Sequence, residues 1–292
     1  MTTKNQSTAI GSIAIVLWSV DTLINIHLGR LSVFQILATT CFLSFLQYAI
    51  VLSVRKEWHK IKQPPLVWVI GSFGICGAQW AVIWALRKAP PDQVTAFSAI
   101  WPIFVIAFGG WMFHQKRIWL SLIGAIIGFA GLWLVLTQGK GFQGYQWNYS
   151  TGYILALVSC LLWSSYVIMT RKFANITSEM MGMYLGVGGI FSLGYHLLFE
   201  EFIPPNSFEW FLLVSKGCIT LSASYFCWDF AIKRGHFALL NVMSYFNPVL
   251  TLALLSMLGL STTGPTLWIG ATLITVAAIL CSGVISKQST TK

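Results

Sequence analysis

Long unbroken apolar runs, each matched to the thickness of a bilayer, decide what this chain can fold into. A helix crossing a hydrocarbon core of ~30 Å needs roughly 20 consecutive, mainly apolar residues. The sequence offers ten such runs, at about 9–28, 32–54, 66–87, 93–113, 118–137, 151–170, 180–199, 210–232, 237–259 and 264–286. They use most of the 292 residues and leave no room for a soluble domain. Only 9% of the residues are charged, against about a quarter in soluble domains. The turn signals Pro64-Pro65, Pro90-Pro91 and Pro204-Pro205 fall between the runs, and Gly264-Pro265 opens the last. Transmembrane strands would instead alternate polar and apolar residues over about ten positions. The expected fold class is therefore all-α integral membrane, with ten transmembrane helices.

The charges then report topology. There are 18 Lys and Arg against 8 Asp and Glu, a net +10. In a soluble chain that balance would suggest nucleic acid. Here the basic residues sit in short clusters between apolar runs, where the positive-inside rule applies. An even number of spans puts both termini on one side. With the termini cytoplasmic, that side holds Lys4, Arg55, Lys56, Lys60, Lys62, Lys116, Arg117, Arg171, Lys172, Lys233, Arg234, Lys287 and Lys292, thirteen of the eighteen. Arg30, Arg87, Lys88, Lys140 and Lys216 remain outside or at the outer boundary, beside an acidic loop with Glu200, Glu201 and Glu209. The first run is longer than a signal-peptide core and has no small-residue cleavage site after it, so it is expected to stay as a helix. All six cysteines lie within runs and form no CxxC pair, which predicts small apolar packing residues.

A duplication narrows the fold further. Adding 146 to positions 84–125 brings two segments into register without a gap. Ala85 meets Ala231, Arg87-Lys88 meets Lys233-Arg234, Ser98 meets Ser244, Pro102 meets Pro248, and Ile123-Gly124-Ala125 meets Ile269-Gly270-Ala271. Leu17-Trp18-Ser19 meets Leu162-Trp163-Ser164 at an offset of 145. The halves are expected at 1–140 and 141–292, five helices each. An odd number inserts them in opposite senses, and the charges agree, since Arg87-Lys88 lies outside and Lys233-Arg234 inside. Inverted repeats are a recurrent transporter design, with the site near the midplane between halves. A duplicated scaffold or a membrane-embedded lipid enzyme is the other reading that duplication alone leaves open.

Polar stripes at helical spacing mark the candidate pathway. Asn241, Ser244, Tyr245 and Pro248 share a face in the ninth span, and Thr95, Ser98 and Pro102 repeat it in the fourth, with Trp101 beside them. Each proline removes the bond to the carbonyl of the serine four residues earlier. A freed carbonyl in hydrocarbon needs another partner, so the pair predicts kinked helices, hinged at Pro102 and Pro248, facing a cavity. Trp18, Asp21, Thr22 and Asn25 line the first span, and Ser159, Trp163, Tyr166 and Thr170 the sixth. Gln79, Trp80 and Trp84 in the third span and Tyr225 in the eighth complete the candidate lining. Aromatic walls with few polar groups suit an amphipathic solute with a flat apolar part.

Asp21 is the sharpest residue, because a carboxylate in hydrocarbon is costly and functional by default. Its expected partner is a substrate ammonium, a transported proton, or His27 or Arg30, and a structural hydrogen bond is the more ordinary reading. Asp229 is expected to pair with Lys233 one turn on, and Lys216 to snorkel to the outer boundary. Gly124-xxx-Gly128 and Gly182-xxx-Gly186 read as close-packing faces. No nucleotide loop, nucleophile–base set or metal pattern appears, so no enzyme, cofactor or metal is expected, and the chain itself uses no ATP.

The repeat, with Leu17-Trp18-Ser19, Ile100-Trp101-Pro102 and Ser244-Tyr245-Phe246-Asn247-Pro248-Val249-Leu250, resembles the drug/metabolite transporter superfamily, EamA type, over essentially the whole chain. Ala9–Ser19, Gln115-Lys116 and Trp228-Asp229 look closest to the YddG-like aromatic amino-acid exporters within it. The resemblance implies a basket of ten helices around a cavity lined by spans 1, 3, 4, 6, 8 and 9. It implies export of Phe, Tyr, Trp and related amino acids across a bacterial inner membrane by alternating access, as a uniporter or coupled to an ion. Trp18, Trp101, Trp163, Ser244 and Tyr245 fall on matched motif positions. Asp21 stands where a neutral residue is usual and Trp84 where tyrosine is often seen. An added carboxylate would favour cationic or zwitterionic solutes, so proton-coupled efflux of cationic drugs or other metabolites is the alternative. The expected partners are a small-molecule substrate (an amino acid) and the lipid bilayer, with no nucleic acid and a monomeric chain.

Overall fold

Caps and prolines set where each helix begins. The computed structural model describes residues 3–98, 100–112, 118–137, 139–140, 146–236, 240–241, 243–244, 246–260, 264–266, 268–270, 272–277 and 280. Helix α1 (Lys4–His27) starts from Thr3, whose hydroxyl accepts from the Gln6 N–H while Gln6 Oε1 accepts from the Thr3 N–H, a capping box. Helix α2 (Val33–Arg55) stops at Lys56, which takes a left-handed φ of 55°. Pro65 opens α3 (Pro65–Ser72), where its missing N–H costs nothing. The same apolar run continues through a π segment (Phe73–Gly77) into α4 (Ala78–Lys88).

The fourth span is more than kinked. It forms two helices, α5 (Pro91–Ser98) and α6 (Trp101–Met112), so Pro102 sits in the first turn of α6, where no carbonyl awaits its N–H. Helix α7 (Ile118–Leu136) closes the first half. The second half runs through α8 (Ser150–Lys172), α9 (Met180–Phe199), α10 (Ser207–Ser215), a π segment (Lys216–Ala223), α11 (Ser224–Arg234) and α12 (Phe246–Met257). Pro248 likewise lies in the first turn of α12. All elements of the described residues are helical. Among the described residues, six helices are long and apolar enough to cross a membrane: Lys4–His27, Val33–Arg55, Pro65–Lys88, Trp147–Lys172, Met180–Phe199 and Ser207–Arg234. Shorter apolar helices cover parts of the remaining expected spans, including Phe246–Met257 and Trp268–Ala277.

The halves pack reciprocally. Helix α1 lies on α11 and its repeat-mate α8 lies on α4, while α2 lies on its own repeat-mate α9. The π segments fall at matching places in the two halves, directly before α4 and α11. Small residues permit the α2–α9 approach: a Cβ on Gly182 would stand 2.2 Å from Tyr48 Cβ, and one on Gly186 2.7 Å from Phe45 Cδ2. Without a hydrophobic drive between helices in lipid, such van der Waals contact is a main source of association. Ion pairs tie the ends, Arg30 to Glu209 at 2.5 Å and Arg55 to Glu179 at 3.0 Å.

Candidate substrate site

A cavity of about 140 Å³ opens between the halves, close to the size of engineered cavities that hold a benzene ring. Trp18, Asp21, Thr22 and Asn25 of α1 line it with Gln79 and Val82 of α4, Thr95 and Ser98 of α5, Trp101 of α6, Ser159, Cys160 and Trp163 of α8, Tyr225 of α11 and Asn247 of α12. It occupies the half of the molecule that holds the carboxyl end of α1 and the amino ends of α5 and α8.

Its floor is aromatic. Trp18 meets Trp163 edge to face with ring centroids 5.5 Å apart, and meets Tyr225 at 5.6 Å. Trp228, fully buried below, lies 5.1 Å from Trp18 and 5.7 Å from Trp101. Such pairs contribute about 0.5–1.5 kcal/mol each beyond their buried area. Beneath this layer, toward the end that carries Lys4 and Arg234, lies a buried polar latch. Tyr166 Oη donates to Asp229 Oδ1 at 2.6 Å, and Lys233 Nζ donates to Asp229 Oδ2 at 2.5 Å and to the Ile176 carbonyl at 2.8 Å. The Asp229–Lys233 pairing is the expected one. Tyr166, expected in the lining, belongs to this latch.

The wall is built around Asp21, and its partner is neither His27 nor Arg30. Lys216 Nζ donates to its two oxygens at 2.7 and 2.8 Å, Thr220 Oγ1 to Oδ1 at 2.6 Å, and Asn25 Nδ2 to Oδ2 at 3.0 Å. Lys216 is fully buried and does not snorkel. Its Nζ also reaches Gln79 Oε1 at 3.3 Å, and Gln79 Nε2 donates to the Tyr225 hydroxyl at 2.5 Å. Arg30 instead bonds Glu209 and the Pro204 carbonyl, and a His27 ring nitrogen lies 2.8 Å from the Leu23 carbonyl. Removing one partner of a buried ion pair costs about 3–5 kcal/mol, so the network is held firmly.

The carbonyls expected to be freed by proline are both satisfied. Cys160 Sγ donates to the Ser98 carbonyl at 3.0 Å, which gives this cysteine a role beyond packing. The Ser244 carbonyl accepts from the Asn247 N–H at 3.0 Å. Four buried polar atoms on the cavity wall have no protein partner: Trp18 Nε1, Asn25 Oδ1, Thr95 Oγ1 and Ser98 Oγ.

Eleven of the expected lining residues thus meet at one cavity: Trp18, Asp21, Thr22, Asn25, Gln79, Thr95, Ser98, Trp101, Ser159, Trp163 and Tyr225. Trp80 faces an apolar groove with Phe34, Phe73 and Phe191, and Trp84 packs beside the Lys88 ammonium, 5.8 Å from its ring. Asn241 and Ser244 are buried in α12's approach, where Ser244 Oγ donates to the Asn241 carbonyl at 2.7 Å. Tyr245 lies outside the described residues. Lys216 and Thr220, which the polar stripes did not reach, complete the site. Among the described residues, no three His, Cys, Asp or Glu side chains gather as a metal site would require.

Comparison with known proteins agrees with this architecture. Residues 8–137 and 150–283 each match the EamA-like transporter family, one match per repeat. A protein of Ancylobacter novellus named aromatic amino acid exporter YddG is 29% identical over 280 residues, covering 96% of this chain and 98% of that protein. The Escherichia coli (strain K12) protein of the same name is 26% identical over 290 residues, covering 96% and 97%. A riboflavin transporter of Brucella anthropi matches about half of each chain, at 25% identity. One solved crystal structure superimposes with a TM-score of 0.80 at 29% identity, covering 95% of this chain and 96% of that one. A multi-pass helical membrane protein of two repeats with a cavity between them, this chain belongs to the EamA-like transporter family.

Proposed function

We propose that the protein exports amino acids, aromatic or otherwise amphipathic, from the cytoplasm across the inner membrane. Both termini are cytoplasmic in this reading, and residues 1–140 and 141–292 are the halves that rock about the site. The observation that carries it is the ring-sized cavity between the repeats, with Trp18, Trp101, Trp163 and Tyr225 for a flat side chain and polar atoms above them for a charged backbone. With cytoplasmic termini the cavity lies in the outer half and the Asp229 latch in the inner half. The reading is therefore of an outward-facing state, and alternating access requires the latch to part as the outer half closes. The energy comes from the amino-acid gradient or from a coupled ion. The names of the full-length relatives support the substrate class.

Efflux of cationic drugs needs an uncompensated acid in the cavity, and Lys216 occupies Asp21. Counterflow in liposomes decides between them. Purified protein is expected to exchange radiolabelled Phe, Tyr or Trp, and no flux across a broad amino-acid panel would overturn the export reading.

A further inference from the structure

Asp21 is the ionised side chain on the described wall of the cavity, and its capacity as an acceptor is spent inside the protein. A carboxylate offers about four lone-pair sites. Here Oδ1 accepts from Lys216 and Thr220, and Oδ2 from Lys216 and Asn25. The Lys216 side chain is only 1% exposed and contributes its charge from behind the carboxylate. The described wall is consequently polar but carries no net charge.

We infer that the Asp21–Lys216 pair sets the cavity's charge to zero and thereby selects zwitterions over amines and over carboxylic acids bearing the same ring. A lone charge entering a low-dielectric site loses its hydration and finds no counter-charge, a large penalty. A zwitterion brings its own counter-charge and needs only dipoles aimed at each pole. Both kinds stand among the wall residues, as buried polar atoms with no protein partner. Because the Asn25 amide spends its N–H₂ side on a carboxylate that can only accept, its oxygen is the end left without a partner, and it suits an ammonium. The unpartnered hydroxyls of Thr95 and Ser98, just ahead of the amino end of α6, suit a carboxylate. In this arrangement Asp21 is a positioning residue that fixes Asn25, and Lys216 is its charge compensator.

The choice of ring rests on the export reading, but the charge argument does not, and the test separates them. Calorimetric titration of the full chain in lipid nanodiscs would use three probes that share a ring: phenylalanine, phenethylamine and hydrocinnamate. Wild type is expected to bind phenylalanine about tenfold or more tightly than either of the others. Lys216→Met leaves a net negative site and is expected to strengthen phenethylamine about tenfold without helping hydrocinnamate. Asp21→Asn leaves a net positive site and should do the reverse. The double variant Asp21→Asn/Lys216→Met is neutral again and should restore the wild-type order.

Wild type holding phenethylamine as tightly as phenylalanine would overturn the inference, and so would a Lys216→Met protein with unchanged preference. Should Lys216→Met fail to fold, the wild-type ranking and the neutral double variant still decide: a double variant that prefers either charged probe refutes it. If wild type binds none of the three while the single variants capture amine and acid in the expected order, the export reading falls and the charge inference stands.

Discussion

Gln79 Nε2 donates to the Tyr225 hydroxyl at 2.5 Å, and the two residues stand 146 positions apart, the offset that superimposes one repeat on the other. Trp18 and Trp163, related by 145, touch as well. Residues that meet their own repeat-mates lie on the pseudo-twofold axis. Under the proposed exchange of conformations between the halves, such a pair maps onto itself, so its contact would be kept while contacts off the axis are traded.

The axial bond should therefore contribute stability through the whole cycle. Tyr225→Phe strands the Gln79 amide and is expected to cost about 1–3 kcal/mol. The loss would be read as a lower melting temperature, and Gln79→Leu added to it should recover part. Additive losses in that double-mutant cycle would count against the bond.

Helix approach at α2–α9 makes a second contrast available within one helix. Gly182→Ala would place its Cβ 2.2 Å from Tyr48 Cβ, whereas nothing lies within 4 Å of a Cβ on Gly194. The first substitution is expected to cost about 1–3 kcal/mol or more by overpacking. Gly194→Ala should leave melting and monodispersity as in wild type.

Cys160 takes up the Ser98 carbonyl, which the break between α5 and α6 leaves without a helical partner. Cys160→Ala strands a buried carbonyl, for a loss of about 1–3 kcal/mol, and Cys160→Ser should restore it.

The floor should set preference for rings. Trp163→Ala removes edge-to-face contacts to Trp18 and Trp101. Losing one such aromatic contact, about 0.5–1.5 kcal/mol, predicts up to about a tenfold rise in KM for phenylalanine. Leucine, with no ring to lose, should change less in the same counterflow measurement.

Much of this was legible in the chain because a membrane leaves few choices. Apolar runs of bilayer length dictated the helices, and the offset of about 146 matched the repeats before any contact was visible. The aromatic floor followed too, since Trp18 and Trp163 occupy matched motifs near midspan. Lys216 was misread for a geometric reason. In a regular helix at about 100° per residue, Lys216 and Tyr225 point to opposite sides. Each turn closed by an i→i+5 bond takes up one extra residue. The segment Lys216–Ala223 spans about two such turns, which swings Lys216 round until both side chains reach Gln79. Lys216 was expected to snorkel because it lies near the outer end of its span, and hydrophobic spacing carries no mark of the π segment that turns it inward. Tyr166 was displaced from the expected lining by Asp229, an acid one layer below that offers its hydroxyl a better acceptor than the cavity does.

The floor of the cavity has an optical consequence. Trp18, Trp101, Trp163 and Trp228 form a chain of neighbouring rings whose centroids lie 5.1–6.2 Å apart, mostly in edge-on orientations. Indole transition dipoles at that spacing couple, so the cluster should contribute an exciton signature to the near-ultraviolet circular dichroism. A solute ring settling on Trp18 and Trp163, or a parting of the layer as the halves rock, would alter that coupling directly. The chromophores already line the proposed substrate site, so the unlabelled protein should signal its own loading.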